Sequence, residues 1–190
     1  MEDKYYHTKE SVEEYIKHSE GYSGKDLINK LNEVLKSGSS ILELGSGPGK
    51  DWTIFTELGF EVIGSDYSEE FVSYLKKTFT SGSFLRLDAS KLEVNQKFDA
   101  IYSNKVLHHL TDLELKNSID KQVELLNTDG IICHSFWKGE GDEEFKGMYV
   151  NYHTKKEIET LVSKRFEILA LEEYAEFEAN DSLFLIGRKK

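Results

Sequence analysis

The chain has 190 residues, of which 38% are hydrophobic and 31% charged, a composition typical of one soluble globular domain with a full-sized core. Its net charge of −11, from 24 basic and 35 acidic residues, leaves only short basic pairs, which argues against a nucleic-acid partner. No apolar run approaches the ~20 residues of a membrane span, the N-terminus lacks a secretory pattern and Cys133 is the single cysteine, so we expect a cytoplasmic protein without a membrane partner.

The first 38 residues are predicted to form two helices. Residues 11–19 place apolar side chains on one helical face, and Ser11 with Glu14 fits a capping box at the start. Residues 26–36 repeat leucine, isoleucine and valine at helical spacing. We interpret residues 1–38 as a helical cap on the remainder of the domain.

Strand and helix patterns alternate through the middle of the chain. Predicted strands cover residues 40–45, 61–65, 83–87, 98–103 and 130–136, and predicted helices cover residues 51–58, 69–79, 112–126 and 155–164. This alternation predicts an α/β fold with a doubly wound, mostly parallel sheet and helices on both faces. Two further strand-like runs, 166–177 and 182–188, have no helix between them and indicate an antiparallel hairpin.

The segment Ile41-Leu-Glu-Leu-Gly-Ser-Gly-Pro-Gly-Lys-Asp51 joins the first strand to the next helix through a glycine-rich turn. Glycines at 45, 47 and 49 allow positive φ and let a ligand approach the backbone. Asp66 ends the second strand about 20 residues later, where nucleotide-binding sheets carry a ribose-binding carboxylate. The pattern therefore predicts a ligand that contains a nucleoside.

The loop argues against a dinucleotide as that ligand. Its spacing is G-x-G-x-G rather than G-x-G-x-x-G, and Pro48 has no N–H to offer a pyrophosphate. Glu43 would repel a phosphate, so a cationic ligand without phosphate fits better. An NAD-dependent oxidoreductase is the disfavoured alternative.

The sequence Glu43-Leu-Gly-Ser-Gly-Pro-Gly49 resembles the first motif of the class I S-adenosylmethionine-dependent methyltransferases. Four further segments are similar to that family in order: Asp66 after the second strand, residues 84–89, residues 98–104 followed by 106–110, and residues 130–136. The resemblance implies one domain over residues 1–190, with a seven-stranded sheet in the order 3-2-1-4-5-7-6 whose last strand is antiparallel. It also implies S-adenosylmethionine as the cofactor.

The resemblance assigns expected roles around this cofactor. Backbone atoms of Gly45, Ser46 and Gly47 are expected to pack against its methionine part, whose amino group Glu43 holds directly or through water. Asp66 is expected to accept hydrogen bonds from the ribose hydroxyls. Beside the adenine we expect Tyr67 to pack, Asp88 to accept from the exocyclic amine and the Ala89 N–H to donate to a ring nitrogen. Asn104, at the end of the fourth strand, completes the expected site.

Methyl transfer is an in-line displacement that needs no nucleophile from the enzyme, and needs a general base only when the acceptor loses a proton. His108 and His109 follow the fourth strand and are candidates for that base, although adjacent histidines often only cap or pack a helix. Ser103-Asn-Lys-Val106 departs from the motif of amino-directed DNA methyltransferases, which puts an adenine or amide nitrogen as acceptor in doubt. The histidine spacing does not predict a metal site.

Two segments are candidates for the walls of the acceptor pocket. Residues 137–153 mix aromatic side chains with glycines and are predicted to form a substrate lid, or alternatively to cover a sheet edge or an interface. The second wall is predicted from the N-terminal tyrosines Tyr5, Tyr6, Tyr15 and Tyr22.

We interpret the chain as a methyltransferase that acts on a small molecule, at oxygen, nitrogen or sulfur. Methylation of a protein or nucleic acid, and a non-catalytic cofactor-binding subunit, are the alternatives. The sequence leaves the acceptor and the oligomeric state open, because acceptor choice depends on loops grafted onto a shared scaffold.

Overall fold

The computed structural model describes residue 6, residues 8–19 and residues 21–190. Its strands are β1 Ser40–Leu44, β2 Glu61–Asp66, β3 Ser83–Arg86, β4 Phe98–Asn104, β5 Leu126–Trp137, β6 Asp142–Phe145, β7 Met148–Asn151, β8 Phe166–Tyr174 and β9 Ser182–Lys189. Its helices are α1 Lys9–His18, α2 Lys25–Asn32, α3 Lys50–Glu57, α4 Glu69–Thr78, α5 Asp112–Leu125 and α6 Lys155–Val162, with a 3₁₀ turn at Leu107–His109.

Seven strands form one sheet in the order β3-β2-β1-β4-β5-β9-β8. Neighbouring strands from β3 to β5 pair in parallel, and β9 runs antiparallel to both β5 and β8. The predicted fold and strand order are therefore confirmed, once the separate pair β6–β7 is left out of the count. The carboxyl ends of β1, β2 and β4 consequently lie along one edge of the sheet.

Apolar side chains from successive strand residues cover both faces of this sheet, because side chains alternate along a strand. In β1, Leu42 packs in the cluster that includes Leu115 of α5 and Ile158 of α6. Its neighbour Ile41 packs in the opposite cluster, which includes Leu31 of α2 and Phe55 of α3. Helices therefore pack on both faces of the sheet, which makes it doubly wound, and the loops at its carboxyl edge are free to form the site.

The N-terminal helix begins earlier than predicted. Thr8, rather than Ser11, caps α1: the Ser11 N–H donates to Thr8 Oγ1 at 3.1 Å, and the Ser11 hydroxyl takes the reciprocal position of the capping box. The expected Ser11–Glu14 box is therefore wrong, because the true cap lies three residues upstream. The second helix is also shorter than predicted and ends at Asn32.

The segment after β5 contains a hairpin that the sequence analysis does not predict. Strands β6 and β7 pair from Asp142 opposite Asn151 to Phe145 opposite Met148. Lys146 and Gly147 connect them with φ values of 53° and 79°, the positive pair that a two-residue hairpin turn requires. The acidic sequence of β6 hides the strand, because glutamate and aspartate have low strand propensity.

No helix among residues 8–19 and 21–190 is long and apolar enough to cross a membrane.

Candidate functional site

The glycine-rich loop after β1 is held in a conformation that favours glycine. Gly45, Gly47 and Gly49 have φ values of 67°, 47° and 81°, in the left-handed region. A Cβ added to Gly45 would lie 2.4 Å from a methyl carbon of Val106, so the loop packs directly against the segment that follows β4. Gly49 is the N-cap of α3, which begins at Lys50.

Hydrogen bonds fasten this loop to β2 and fix the side chain of Glu43. The Ser46 N–H donates to the Ser65 carbonyl at 2.7 Å, and the Ser65 N–H donates to Ser46 Oγ at 3.1 Å. The Ser46 hydroxyl in turn donates to Glu43 Oε2 at 2.6 Å. The carboxyl group of Glu43 is thus positioned by the loop that its own strand leads into.

Glu43 is 2% exposed, which makes its charged form unfavourable. Burial, then the charge of Asp51 and to a smaller extent that of Asp66, raises the pKa of Glu43 to about 8, although the Ser46 hydrogen bond opposes the rise. The protonated form of this carboxyl group is therefore favoured at neutral pH.

Asp51, on the first turn of α3, is the centre of a buried network. It accepts hydrogen bonds from the Gly24 N–H at 2.7 Å, the Tyr102 hydroxyl at 2.7 Å and Asn104 Nδ2 at 3.2 Å. Burial, followed by the charge of Asp51, raises the pKa of Tyr102 well above its ordinary value. The network ties the N-terminal segment, the glycine-rich loop and β4 together at one point.

Asp66 is the last residue of β2 and Asp88 follows the end of β3 by two residues, and turns orient both carboxylates. Asp66 accepts from the Gly47 N–H at 3.0 Å and from the Ser68 N–H at 2.9 Å. Asp88 accepts from the Ser90 N–H and hydroxyl at 2.9 and 2.6 Å and pairs with Lys91 at 2.9 Å. Burial favours the protonated form of Asp88, but the Ser90 and Lys91 contacts outweigh it and hold the pKa of that carboxyl below its usual value.

Two adjoining cavities open at this edge of the sheet, of about 310 and 640 Å³. Tyr15, Gly45, Gly47, Asn104 and Lys105 line both of them. Of the other predicted residues, the smaller cavity is lined by Glu43 and Ser46 and the larger by Asp66, Tyr67, Asp88, Ala89 and His109. The structure thus brings all nine predicted cofactor residues to one continuous groove.

The two candidate histidines lie in different environments. His108 lines neither cavity and is 3% exposed, and its Nδ1 has no hydrogen-bond partner within the described part of the chain. Burial, then the charges of His109 and Lys105, lowers the pKa of His108 well below its ordinary value. His109 Nδ1 lies 2.7 Å from the Tyr149 carbonyl oxygen, and because a carbonyl only accepts, this nitrogen carries the proton.

An aromatic wall borders the smaller cavity. Trp137 stacks on Phe177 with ring centroids 5.8 Å apart, and Tyr22 meets Phe177 edge-on at 5.4 Å. Phe177 and its neighbour Glu176 come from the β8–β9 connection, which the sequence analysis does not assign to the site.

Asp181 holds the β8–β9 connection in shape. Its carboxylate accepts from the backbone N–H groups of Glu176, Phe177 and Glu178 at 2.8 to 2.9 Å and from the Ser182 hydroxyl at 2.8 Å. Burial alone would raise the pKa of Asp181, but these donors hold it well below its usual value.

The predicted pocket segments contribute unevenly. From residues 137–153, Trp137 lines the smaller cavity, while Glu144, Gly147 and Tyr149 line the larger. Tyr6 and Tyr15 line the larger cavity, Tyr15 and Tyr22 line the smaller, and Tyr5 lies outside the described residues.

Lys105 lines both cavities and is absent from the sequence-based site. Its backbone has φ of 53°, and its N–H donates to Ser135 Oγ at 2.9 Å. Its Nζ donates to the Phe136 carbonyl at 2.9 Å and to Ser182 Oγ at 2.6 Å, and lies 3.5 Å from the centroid of the Trp137 ring. Burial lowers the pKa of Lys105 to about 7, despite the opposing charges of Glu176 and Asp181.

Within residues 6, 8–19 and 21–190, no three histidine, cysteine, aspartate or glutamate side chains group so that they could hold a metal ion.

A glycine-rich loop with acids at three neighbouring strand ends defines a nucleoside-binding α/β domain. Residues 41–130 match the family model of a methyltransferase domain. An uncharacterized methyltransferase of Bacillus cytotoxicus is 33% identical over 141 residues, which are 68% of this chain and 62% of that protein. The chain spans only 48% to 62% of the length of the first curated relatives that it matches.

Solved structures share the fold. The TehB-like SAM-dependent methyltransferase of Corynebacterium glutamicum matches with a TM-score of 0.77 at 18% identity, over 96% of this chain and 100% of that one. The 1,6-didemethyltoxoflavin-N1-methyltransferase of Burkholderia thailandensis, solved with S-adenosylhomocysteine, matches with a TM-score of 0.74 at 19% identity, over 95% and 86% of the two chains. The chain therefore carries a methyltransferase domain with the class I fold, and the resemblance seen in its motifs is confirmed.

Proposed function

We propose that this chain transfers a methyl group from S-adenosylmethionine to a small-molecule acceptor by in-line displacement. The observation that carries the proposal is the pair of cavities that meet at Gly45 and Gly47, with Asp66 and Asp88 in the larger cavity and Glu43 in the smaller. A ligand with a nucleoside at one end and a cationic amino acid at the other matches this distribution of acidic residues between the two cavities.

The nucleoside end fits the larger cavity. Asp66 supplies two carboxylate oxygens for the ribose hydroxyls, each oriented by a hydrogen bond from a backbone N–H. Tyr67, which is 48% exposed, offers a ring face to the adenine. Asp88 and Ala89 provide the acceptor and donor for the adenine edge, as the resemblance implies.

The amino acid end fits the smaller cavity. A cationic amino group beside Glu43 favours the carboxylate form and so offsets the burial that raises its pKa. Asp51 adds a second negative charge to the same cavity. Pro48, which has no N–H for an anion, also lines this cavity and is consistent with a cofactor that lacks phosphate.

A small acceptor is supported by the shape and charge of the molecule. The aromatic wall of Tyr22, Trp137 and Phe177 encloses part of the smaller cavity, and the net charge of −11 disfavours a polyanionic acceptor. The Burkholderia protein of the same fold is named for a small heterocyclic acceptor. In this proposal residues 1–38 act as a cap, residues 137–153 as a substrate lid and His109 as a substrate-side group.

Calorimetry with S-adenosylhomocysteine and with NADH tests the cofactor assignment. We expect binding of S-adenosylhomocysteine only, and a loss of about 1–3 kcal/mol in Asp66→Ala, because one charged hydrogen-bonding partner is removed. Asp26→Ala, which removes an exposed carboxylate from α2, is the matched control. Binding of NADH, or an unchanged affinity in Asp66→Ala, would refute the assignment.

The acceptor class is tested by incubating the enzyme with methyl-labelled S-adenosylmethionine and separate small-metabolite, protein and RNA fractions. Label is expected in the small-metabolite fraction. Label confined to the protein or RNA fraction would overturn the small-molecule proposal and leave the cofactor assignment standing.

A further inference from the structure

We infer that Lys105 is a catalytic base of this enzyme, the group that takes the proton from an acceptor hydroxyl, amine or thiol as its attacking atom is methylated. The inference rests on the proposed function and adds a residue that neither the motifs nor the candidate histidines provide. It stands on the position of Lys105, its backbone geometry, its hydrogen bonds and the groups that surround it.

Lys105 lies where the two cavities meet. It follows the last residue of β4 and is one of the five residues that line both cavities. In the proposed arrangement the nucleoside occupies one cavity and the amino acid the other, so the sulfonium between them falls at this boundary. His108 lines neither cavity, and His109 lines only the larger one.

The backbone of Lys105 is held in an unusual conformation. A φ of 53° places a non-glycine residue in the left-handed region, which costs on the order of 1 kcal/mol and persists only where the surroundings fix it. The Ser135 hydroxyl fixes it by accepting the Lys105 N–H at 2.9 Å. Such conformations cluster at active sites, where they aim a side chain.

The hydrogen bonds of Nζ suit a neutral amine. Its two partners are the Phe136 carbonyl and the Ser182 hydroxyl, whose own proton is donated to Asp181, so both accept from Nζ. Among the described residues no carboxylate forms an ion pair with Lys105, and a buried ammonium without such a pair is costly. A neutral amine satisfies both partners with its two N–H bonds and keeps a lone pair for a substrate proton.

The surrounding charges allow both protonation states of Lys105. Glu176 and Asp181, from the β8–β9 connection, favour the ammonium, while burial opposes it more strongly and brings the pKa to about 7. The Trp137 ring 3.5 Å away also stabilises the ammonium, and the Tyr174 ring lies at 5.3 Å. His108 adds little competing charge, because burial holds its pKa well below its ordinary value.

The proton balance of the step is complete. A lone pair of the acceptor atom forms the bond to the methyl carbon as the carbon–sulfur bond breaks, and that bonding pair remains on sulfur, which becomes a neutral thioether. The proton of the acceptor atom passes to the Nζ lone pair of Lys105. Lys105 then returns the proton to solvent through the open cavity and is neutral for the next cycle.

Two variants and one control test this role. Lys105→Met removes the amine, and Lys105→Arg keeps a positive charge that does not act as a base near neutral pH. The control Lys121→Met removes a lysine of α5 that pairs with Glu124 outside both cavities. We expect the affinity for S-adenosylhomocysteine to stay within threefold of wild type in all three variants, since Lys105 acts on the acceptor proton. The initial rate of label transfer to the small-metabolite fraction should fall about 100-fold or more in both Lys105 variants and stay near wild type in Lys121→Met.

A titration supplies a readout that does not depend on turnover. In protein labelled with ¹³C at lysine Cε, the resonance missing from Lys105→Arg reports Lys105, and we expect its midpoint between pH 6 and 8. The wild-type rate should rise with pH through the same midpoint. A midpoint above about pH 9, or a wild-type rate in Lys105→Arg, would overturn the inference. Failure of wild type to bind S-adenosylhomocysteine would instead refute the proposed function.

Discussion

Asp51 offers the sharpest test of how the site is held together. Its carboxylate accepts three hydrogen bonds that join residue 24, β4 and the start of α3. Asp51→Ala leaves the Gly24 N–H and the Tyr102 hydroxyl without this partner, and both bonds are buried. A buried donor left unsatisfied costs about 1–3 kcal/mol.

The expected loss follows from these two donors and from the Asn104 contact. Two unsatisfied donors at the lower end of that range, with a smaller cost at the longer Asn104 contact, give about 3 kcal/mol. Glu43 does not offset this loss, because its raised pKa leaves it largely uncharged at pH 7 and it therefore has little charge for Asp51 to repel. For a chain of this size about 3 kcal/mol lowers the melting temperature by roughly 6–12 °C.

Urea unfolding at pH 7, followed by circular dichroism, measures this loss. Asp51→Asn keeps the shape and one acceptor oxygen, so we expect an intermediate loss. Glu57→Ala removes an exposed carboxylate from the same helix and should change the free energy of unfolding by less than about 0.5 kcal/mol. A free energy of unfolding for Asp51→Ala within 0.5 kcal/mol of wild type would refute the view that this network stabilises the fold.

Three further predictions concern the same edge of the sheet. Because the pKa of Glu43 is raised to about 8 in the folded state, the stability that protonated Glu43 contributes is full below pH 4.5 and is lost as the pH rises to about 8. Glu43→Gln should flatten this decline in melting temperature between pH 5 and 9. An equally steep decline in the variant would contradict the prediction. The pKa of Asp181 is instead lowered, so the stability that its carboxylate contributes is present above pH 4 and is lost on acidification. Asp181→Ala should therefore melt at a lower temperature than wild type at pH 7, and the difference in melting temperature should be smaller at pH 3. The same difference at both pH values would argue against the role of its hydrogen-bond donors. Gly24→Ala puts a Cβ 2.1 Å from the Tyr102 hydroxyl and 2.5 Å from Asp51 Oδ2. We expect a loss of about 1–3 kcal/mol in urea unfolding, and a free energy of unfolding within about 0.5 kcal/mol of wild type would contradict this steric clash.

The sheet could be predicted because each of its strands is marked by a local pattern. The apolar run before Gly45 predicts the first strand and its loop, and the acid at position 66 marks the end of the second strand. The order of the strands in the sheet follows from the resemblance to the methyltransferase family. The β6–β7 hairpin was missed because its first strand is acidic and exposed, so that neither burial nor propensity marks it.

The missed site residues depend on tertiary partners that lie far away in sequence. In the sequence, Asp51 has only the features of an acid on the first turn of a helix. Its hydrogen bonds to Gly24 and Tyr102 form only in the folded chain, so the sequence does not indicate them. From the sequence, Lys105 has the features of an exposed lysine after a strand. In the structure its amine is buried against Phe136 of β5 and Ser182 of β9. The lysine directly after Asn104, at a strand end that carries a predicted site residue, was the one available signal.

The acids around the glycine-rich loop impose an electrostatic asymmetry on the reaction cycle. Under the proposed function the incoming cofactor bears a sulfonium, and the outgoing thioether has lost that positive charge. Glu43, Asp51 and Asp66 therefore attract the methylated form more strongly than the demethylated one. Methyl transfer therefore weakens the electrostatic attraction that holds the cofactor product in the site. This loss of charge promotes product release without any required movement of the sheet.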